Sequence, residues 1–382
     1  MSSTPFGDFA TPLDVSTVSS SIAVTGWVLD DIGVASLKIY RGEVGNLVYI
    51  GNAVFVEGAR PDVEQASPNY PMNYKAGWGY MMLTNFLPNG GNGTFKIHAI
   101  ATDIEGNTVT LGMKTIIVDN TNAVKPFGAI DTPTQGGTAS GSSFINWGWV
   151  LTPQPNTIPT DGSSLKVWVD GINIGKPNYN NYRSDIAQLF PDYNNTDGAA
   201  GYFYIDTTAY DNGVLTIQWT ATDTGGNTDG IGSRYFTIQN TGSSRARSAS
   251  TQMIWFDLPQ ISELPLDFSY PMMVKQGYGK HIEHRIITPD EKGIARINIK
   301  ELEKVEIELA EKESEVTGYL LVGERFRPLP IDSSIKSGIF HWAPVPGFFG
   351  DYRLVVVMKD KHGDLSKREV VISIEPKFGL NK

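Results

Sequence analysis

Whatever chemistry this 382-residue chain could do rests on five histidines and 41 acids, because it has no cysteine. That excludes disulfides, thiolate metal sites and thiol nucleophiles together. Two histidines lie close in sequence, in His281-Ile282-Glu283-His284, and they would offer two metal ligands only on a helical turn. The HExxH spacing is missing, and a polar loop or strand edge is the plainer reading. No GxSxG elbow, P-loop or GxGxxG occurs, and the carboxylate pairs sit mainly at turns rather than as a glycosidase dyad. The expected class is therefore non-enzymatic.

Aromatic side chains are the richer signal. One stretch carries Tyr70, Tyr74, Trp78 and Tyr80, and a later one carries Tyr179, Tyr182, Phe190, Tyr193 and Tyr202. Rings beside Asn and Asp would make a sugar- or peptide-binding surface, since they supply flat apolar area at little entropic cost. They would equally serve to pack a long connection onto its module, as loops of this length need anchoring. Arg60 with Asp62, and Arg183 with Asp185, would pin such a loop by an ion pair or by backbone hydrogen bonds.

These stretches occupy matching places in an internal duplication. Pro5-Phe6-Gly7 returns as Pro126-Phe127-Gly128, and Gly26-Trp27-Val28-Leu29 as Gly148-Trp149-Val150-Leu151. Leu37-Lys38-Ile39-Tyr40 pairs with Leu165-Lys166-Val167-Trp168, Ile50-Gly51 with Ile174-Gly175, and Gly79-Tyr80 with Gly201-Tyr202. ATDIEGN from Ala101 pairs with ATDTGGN from Ala221. A period of roughly 120 residues is that of whole domains in tandem, not of a solenoid.

Within each copy the apolar pattern has period two, which puts alternate side chains on opposite faces of a strand. Ile97, Ala99 and Ala101 alternate with Lys96, His98 and Thr102, and Leu215, Ile217, Trp219 and Ala221 with Thr216, Gln218 and Thr220. Asp103 to Asn107 and Asp223 to Asn227 then read as hairpin turns. No helix is expected in residues 1–240. Beyond them the charged fraction roughly doubles, and Thr241 to Gln252 is small, polar and aperiodic, as a linker would be. In the remainder, Val305 to Leu309, Tyr319 to Val322, Leu354 to Met358 and Glu369 to Ile374 have strand patterns, although Lys300 to Val316 also suits a helix by composition.

The order of a Gly-Trp strand, an irregular middle with Arg-x-Asp, ATDxxGN and a closing strand resembles the bacterial immunoglobulin-like domains found in tandem on secreted and surface proteins. The stretch from Phe340 to Gly363 is more weakly similar to immunoglobulin- or cadherin-like modules. The resemblance implies an all-β chain of tandem sandwiches: repeat 1 over 1–122, repeat 2 over 123–240, a linker over 241–252 and a divergent β-sandwich over 253–382. It also implies an extracellular or cell-surface spacer or adhesive role, with glycan or protein partners. The alternative is a carbohydrate- or peptide-binding accessory region of a larger secreted hydrolase. In such a sandwich Asp30, Asp31, Asp103 and Glu105 would gather at one end as hard oxygen donors suited to calcium, unless they cap turns in water. No other cofactor is indicated.

A net charge of -10 argues against nucleic acid, whose phosphates call for a basic surface. No apolar run is long enough for a membrane helix. The first residues lack the basic and apolar regions of a signal peptide, so a cytoplasmic protein or a segment of a longer one is expected. Nothing points to an oligomer, and a monomer is expected.

Overall fold

The computed structural model describes residues 3–241, 258–268, 271–279, 282–310 and 314–380. Of the expected linker, all but Thr241 lies outside the described residues, as does His281. The chain is all-β, with six sheets that form sandwiches. It divides into two compact units: residues 1–121, 256–275 and 284–382 make one, and residues 122–255 and 276–283 the other.

The first copy holds β1 (Phe6–Thr11), β2 (Ser16–Val18), β3 (Ser21–Leu29), β4 (Val34–Glu43), β5 (Asn46–Asn52), β6 (Val54–Phe55), β7 (Gly77–Leu83), β8 (Gly93–Asp103) and β9 (Thr108–Val118). They form sheets in the orders β1-β3-β7-β6 and β2-β9-β8-β4-β5. The second copy holds β10 (Phe127–Thr132), β11 (Gly137–Ala139), β12 (Phe144–Leu151), β13 (Leu165–Val169), β14 (Ile172–Gly175), β15 (Asn178–Asn181), β16 (Ala200–Ile205), β17 (Gly213–Thr222) and β18 (Thr228–Ile238). Its orders, β10-β12-β16-β15 and β11-β18-β17-β13-β14, repeat the first strand for strand. In both copies the leading strand pairs with one sheet, and the short strand after it runs parallel to the last strand of the other. One short segment thus ties both sheets together.

The expectation of no helix in residues 1–240 is corrected by short helical turns: Pro61–Ala66 and Ser184–Leu189, each directly after the arginine of an Arg-x-Asp motif, then Pro88–Gly91 and four 3-10 turns. Six residues are too few for a 3.6-residue period to show in the sequence. Lys300 to Val316 forms strand where its side chains alternate, at Val305–Glu308.

The two cores are filled from opposite sheets. Strand register places Ala99 of β8 opposite Ile39, and Trp219 of β17 opposite Val167, so these two residues are counterparts. By the same logic Trp78 of β7 is the counterpart of Gly201. Each core therefore holds one large indole and one small residue at this pair, with the roles exchanged, which keeps the total volume similar. Gly26 and Gly148 of the GWVL motif lie under those indoles: a Cβ on Gly26 would stand 2.5 Å from the Trp78 ring, and one on Gly148 3.2 Å from that of Trp219. The exchange also explains a buried amide. Asn146 occupies the place of Val24, and its Oδ1 accepts the Trp219 indole N–H at 2.6 Å, while its own amide donates to the Thr132 carbonyl. Asn146→Val would leave that indole N–H unpaired in an apolar core. The variant is expected to lose about 1–3 kcal/mol, read as a lower denaturant midpoint, whereas Val24→Ile in repeat 1 would shift it less.

The third module has β19 (Met272–Gln276), β20 (Glu283–Ile287), β21 (Ile294–Lys300), β22 (Val305–Glu308), β23 (Glu315–Val322), β24 (Arg325–Arg327), β25 (Ser333–Lys336), β26 (Ile339–Trp342), β27 (Gly350–Lys359) and β28 (Leu365–Glu375). Its sheets run β20-β19-β22-β26-β25 and β21-β28-β27-β23-β24, and β21 is parallel to β28 as β2 is to β9. A short helix, Leu258–Glu263, is held to this module by Ile261, which packs with Val355 and Val357. The Lys367 ammonium reaches the Ser262 carbonyl, and Arg368 pairs with Asp267.

Candidate functional site

The aromatic residues singled out from the sequence go to different places. Trp78 and Tyr179 are core residues, which removes them from any binding surface; the Tyr179 phenol donates to the Val150 carbonyl at 2.7 Å, and burial pushes its pKa up. Tyr80 is half-buried on the repeat 1 core, with its ring beneath Gly51. Tyr70 packs edge-on against Phe6, near Trp27, Leu29 and Val63. Tyr193 does the same against Phe127 and Phe190. These rings hold the irregular segments down on the sandwich. Tyr74, Tyr182 and Tyr202 reach the surface, Tyr182 with 68% of its area exposed.

The Arg-x-Asp motifs supply the polar part of the anchoring. Arg60 grips Asp62 with two parallel hydrogen bonds, at 2.8 and 2.6 Å. Burial pushes the Asp62 carboxyl up, but the hydrogen bonds and charge of Arg60 outweigh it and leave the group below the ordinary range. Arg183 grips Asp185 in the same way and also bonds Asp131. The Arg60 side chain is itself largely buried, so Arg60→Ala removes packing as well as charge. A loss of about 1 kcal/mol is expected in chemical denaturation, with no change in binding by repeat 2.

The four carboxylates considered for calcium do not assemble into a site. Asp30 Oδ1 accepts the N–H groups of Ile32 and Gly33. Asp103 accepts both the backbone and the side-chain amide of Asn107. Asp31 and Glu105 are exposed. Two of the four thus close turns, and among the described residues no group of three or more His, Cys, Asp or Glu side chains is placed to hold a metal. His284 lies exposed on β20.

One face distinguishes the two copies: the outer face of the sheet that contains β3 in repeat 1 and β12 in repeat 2. In repeat 1 the third module covers it. A Cβ added to Gly79 would stand 2.1 Å from the backbone of Pro346. Thr11 donates to the Glu301 carboxylate at 2.7 Å, and Thr25 lies 3.4 Å from the same oxygen. Lys377 donates to the Ser21 carbonyl and Phe378 packs on the repeat 1 core. At the sheet edge the Tyr352 phenol donates to the Ala59 carbonyl, and Arg327 pairs with the buried Glu64.

In repeat 2 the same positions carry larger residues. Trp147 lies opposite Tyr202 as Thr25 lies opposite Gly79, so Trp147 is the counterpart of Thr25 and Tyr202 that of Gly79. The sequence pairing of Gly79-Tyr80 with Gly201-Tyr202 is therefore one residue out of register, and a one-residue slip moves a side chain to the other face. Tyr80 corresponds to Phe203: both rings point inward, beneath Gly51 and Gly175 respectively. Tyr202 points outward, 5.0 Å from Trp147 and 5.6 Å from Tyr204, ring centroid to centroid. Tyr204 is 58% exposed. Sequence reasoning missed Trp147 and Tyr204. The signal was available in Asn146-Trp147-Gly148-Trp149, where two tryptophans one strand period apart must share a face. The opposite sheet of repeat 2 is met by Tyr278, whose ring contacts Trp168 and whose hydroxyl bonds Gln218.

This strand order defines an immunoglobulin-like, all-β protein of tandem sandwiches. No protein-family pattern matches the sequence, and no curated protein matches it. Among solved structures it is similar to the fibronectin(III)-like modules of Clostridium thermocellum CbhA, at 13% identity over 61% of this chain and 94% of that one, with a TM-score of 0.21. It is similar to immunoglobulin domains 1–4 of Sidekick-1, at 11% identity over 97% of this chain and 76% of that one, with a TM-score of 0.22. It is also similar to a bacterial ice-binding adhesin, at 13% identity over 97% of this chain and 98% of that one, with a TM-score of 0.18.

Proposed function

We propose that the chain is a non-catalytic adhesive segment of a bacterial extracellular or cell-surface protein, acting as a monomer and built from modules over 1–122, 123–240 and 253–382. The observation that carries this reading is the unequal use of one face in two copies of the same module. Repeat 1 spends it on small residues that admit the third module, while repeat 2 lines it with rings that are half-buried at Trp147 and Tyr202 and exposed at Tyr204. Rings gathered on one partly exposed strand face make the kind of surface that a partner covers. Its partner is a glycan or a protein of a cell surface. Fluorescently labelled full chain is expected to bind intact cells of some surface chemistries saturably and to be competed by unlabelled chain. Uniform, non-saturable or absent binding across a broad panel would remove the adhesive reading.

A further inference from the structure

We infer that the outer face of the β10-β12-β16-β15 sheet is a platform for an uncharged saccharide chain, a reading that rests on the adhesive role proposed above and names its ligand class. Ile145, Trp147, Tyr202 and Tyr204 stand where repeat 1 has Ala23, Thr25, Gly79 and Met81. Tyr182 follows β15 at the edge of the sheet, in the place of Ala59. Every one of these exchanges enlarges the side chain, and Tyr182 and Tyr204 are among the most exposed large rings of the chain.

Three properties select the ligand. The first is charge: β12, β15 and β16 contain no Asp, Glu, Lys or Arg, and the one charged residue of β10, Asp131, is paired with Arg183. Arg183, next to Tyr182 in the chain, has its hydrogen bonds directed to Asp131 and Asp185. An anionic or cationic polymer would find no counter-charge on these strands. The second is the functional groups present, namely aromatic rings, phenol hydroxyls and the exposed amide of Asn178. Rings take the C–H faces of a pyranose, while hydroxyls and amides exchange hydrogen bonds with its OH groups. The third is order before binding. Tyr202 already packs tilted against Trp147 and edge to face against Tyr204, so little rotamer entropy is lost when a ligand arrives.

The same face argues against a second copy's third module as the occupant. In repeat 1 the Pro346 loop lies so close that even a Cβ at position 79 would overlap its backbone. Tyr202 fills that space in repeat 2. A thin ligand resting on the rings fits where a protein loop does not.

The test uses the full chain in affinity electrophoresis through gels containing a neutral β-glucan, a galactomannan, polygalacturonate or heparin. Retardation by at least one neutral polysaccharide is expected, together with mobility unchanged by the two anionic ones. Tyr204→Ala and Tyr182→Ala, both at exposed positions, are expected to weaken that retardation about tenfold or more when combined, with an unchanged thermal midpoint. Tyr74→Ala, an exposed ring of repeat 1, is expected to leave it intact. Retardation that survives the double variant, or that occurs only with the anionic polymers, would overturn the inference. So would labelled chain that binds cells while no neutral polysaccharide retards it; in that outcome the adhesive reading stands and the ligand class assigned to it falls.

Discussion

Replacing Gly79 by tyrosine, the residue that repeat 2 carries at the same place, is expected to expel the third module from repeat 1. A Cβ there meets the Pro346 carbonyl carbon and oxygen at 2.1 Å and the Gly347 nitrogen at 2.4 Å. These are backbone atoms, so no rotamer change relieves the overlap; one of the two modules must move. Once it moves, the contacts that depend on close approach go with it: the Glu301 carboxylate leaves Thr11 and Thr25, and the Tyr352 phenol leaves the Ala59 carbonyl. Overpacking alone costs roughly 1–3 kcal/mol, and the loss of buried hydrogen bonds to a charged group adds to it. A destabilisation of at least about 3 kcal/mol is expected in denaturant unfolding, with the third module melting separately. A single transition at the parental midpoint would show that the Pro346 loop does not sit on this face.

Glu301 is expected to make stability depend on pH in the direction opposite to a surface ion pair. The side chain is fully buried between β1, β3 and the third module; burial outweighs its hydrogen bonds from Thr11, the Lys377 backbone and Thr25, and the pKa is pushed up to about 7. The unfolded chain titrates near the ordinary value of 4.5. Between those values the folded state binds the proton more tightly, so the contribution of this group is fully present below pH 4.5. It declines as pH rises and is lost above about 7. The difference of roughly 2.5 pH units corresponds to about 3 kcal/mol. Glu301→Gln keeps the shape, and the two threonine hydroxyls can reverse their roles to meet the amide. The variant is expected to match the parent at pH 5 and to exceed it by about 2–3 kcal/mol at pH 8. A parent whose stability is flat from pH 5 to 8 would contradict the placement of Glu301.

Much of the fold was legible because strands advertise themselves locally. The alternation around Ile97 and Ile217, the Asp-x-x-Gly-Asn turns and the GWVL motif each record a contact made within one copy. The resemblance that these motifs carry implied the immunoglobulin-like sandwich. The candidate site was legible only in part. Trp78 and Trp219 are both tryptophans in a core, but they come from opposite sheets, so aligning the copies by residue type put Trp78 among surface rings. Tyr202 was singled out from the sequence and points outward, yet it was aligned one residue out, because its true counterpart is a glycine with no resemblance to it. The docking of the third module on repeat 1 had no local signature at all. It joins Gly79 to Pro346 and Glu64 to Arg327, residues more than 260 positions apart, and a small residue in a strand reads as a gap until its neighbour is known. Arg60 and Arg183 were legible because ligand and partner lie two residues apart on the same turn.

The claim that the residue at the Gly79 position decides whether this face is covered can be tested by one cysteine pair. A Cβ on Gly323 of the β23–β24 turn lies 3.4 Å from Gln65 Cγ in repeat 1, the place that a cysteine sulfur at position 65 would take, so the two positions are close enough for a disulfide. The chain contains no other cysteine, so Gln65→Cys with Gly323→Cys has a clean background. Under mild oxidation the full chain is expected to close an intrachain disulfide, seen by thiol titration and by faster migration without reductant. The same pair combined with Gly79→Tyr is expected to keep both thiols free. Free thiols in the first chain, or equal closure in both, would contradict the account.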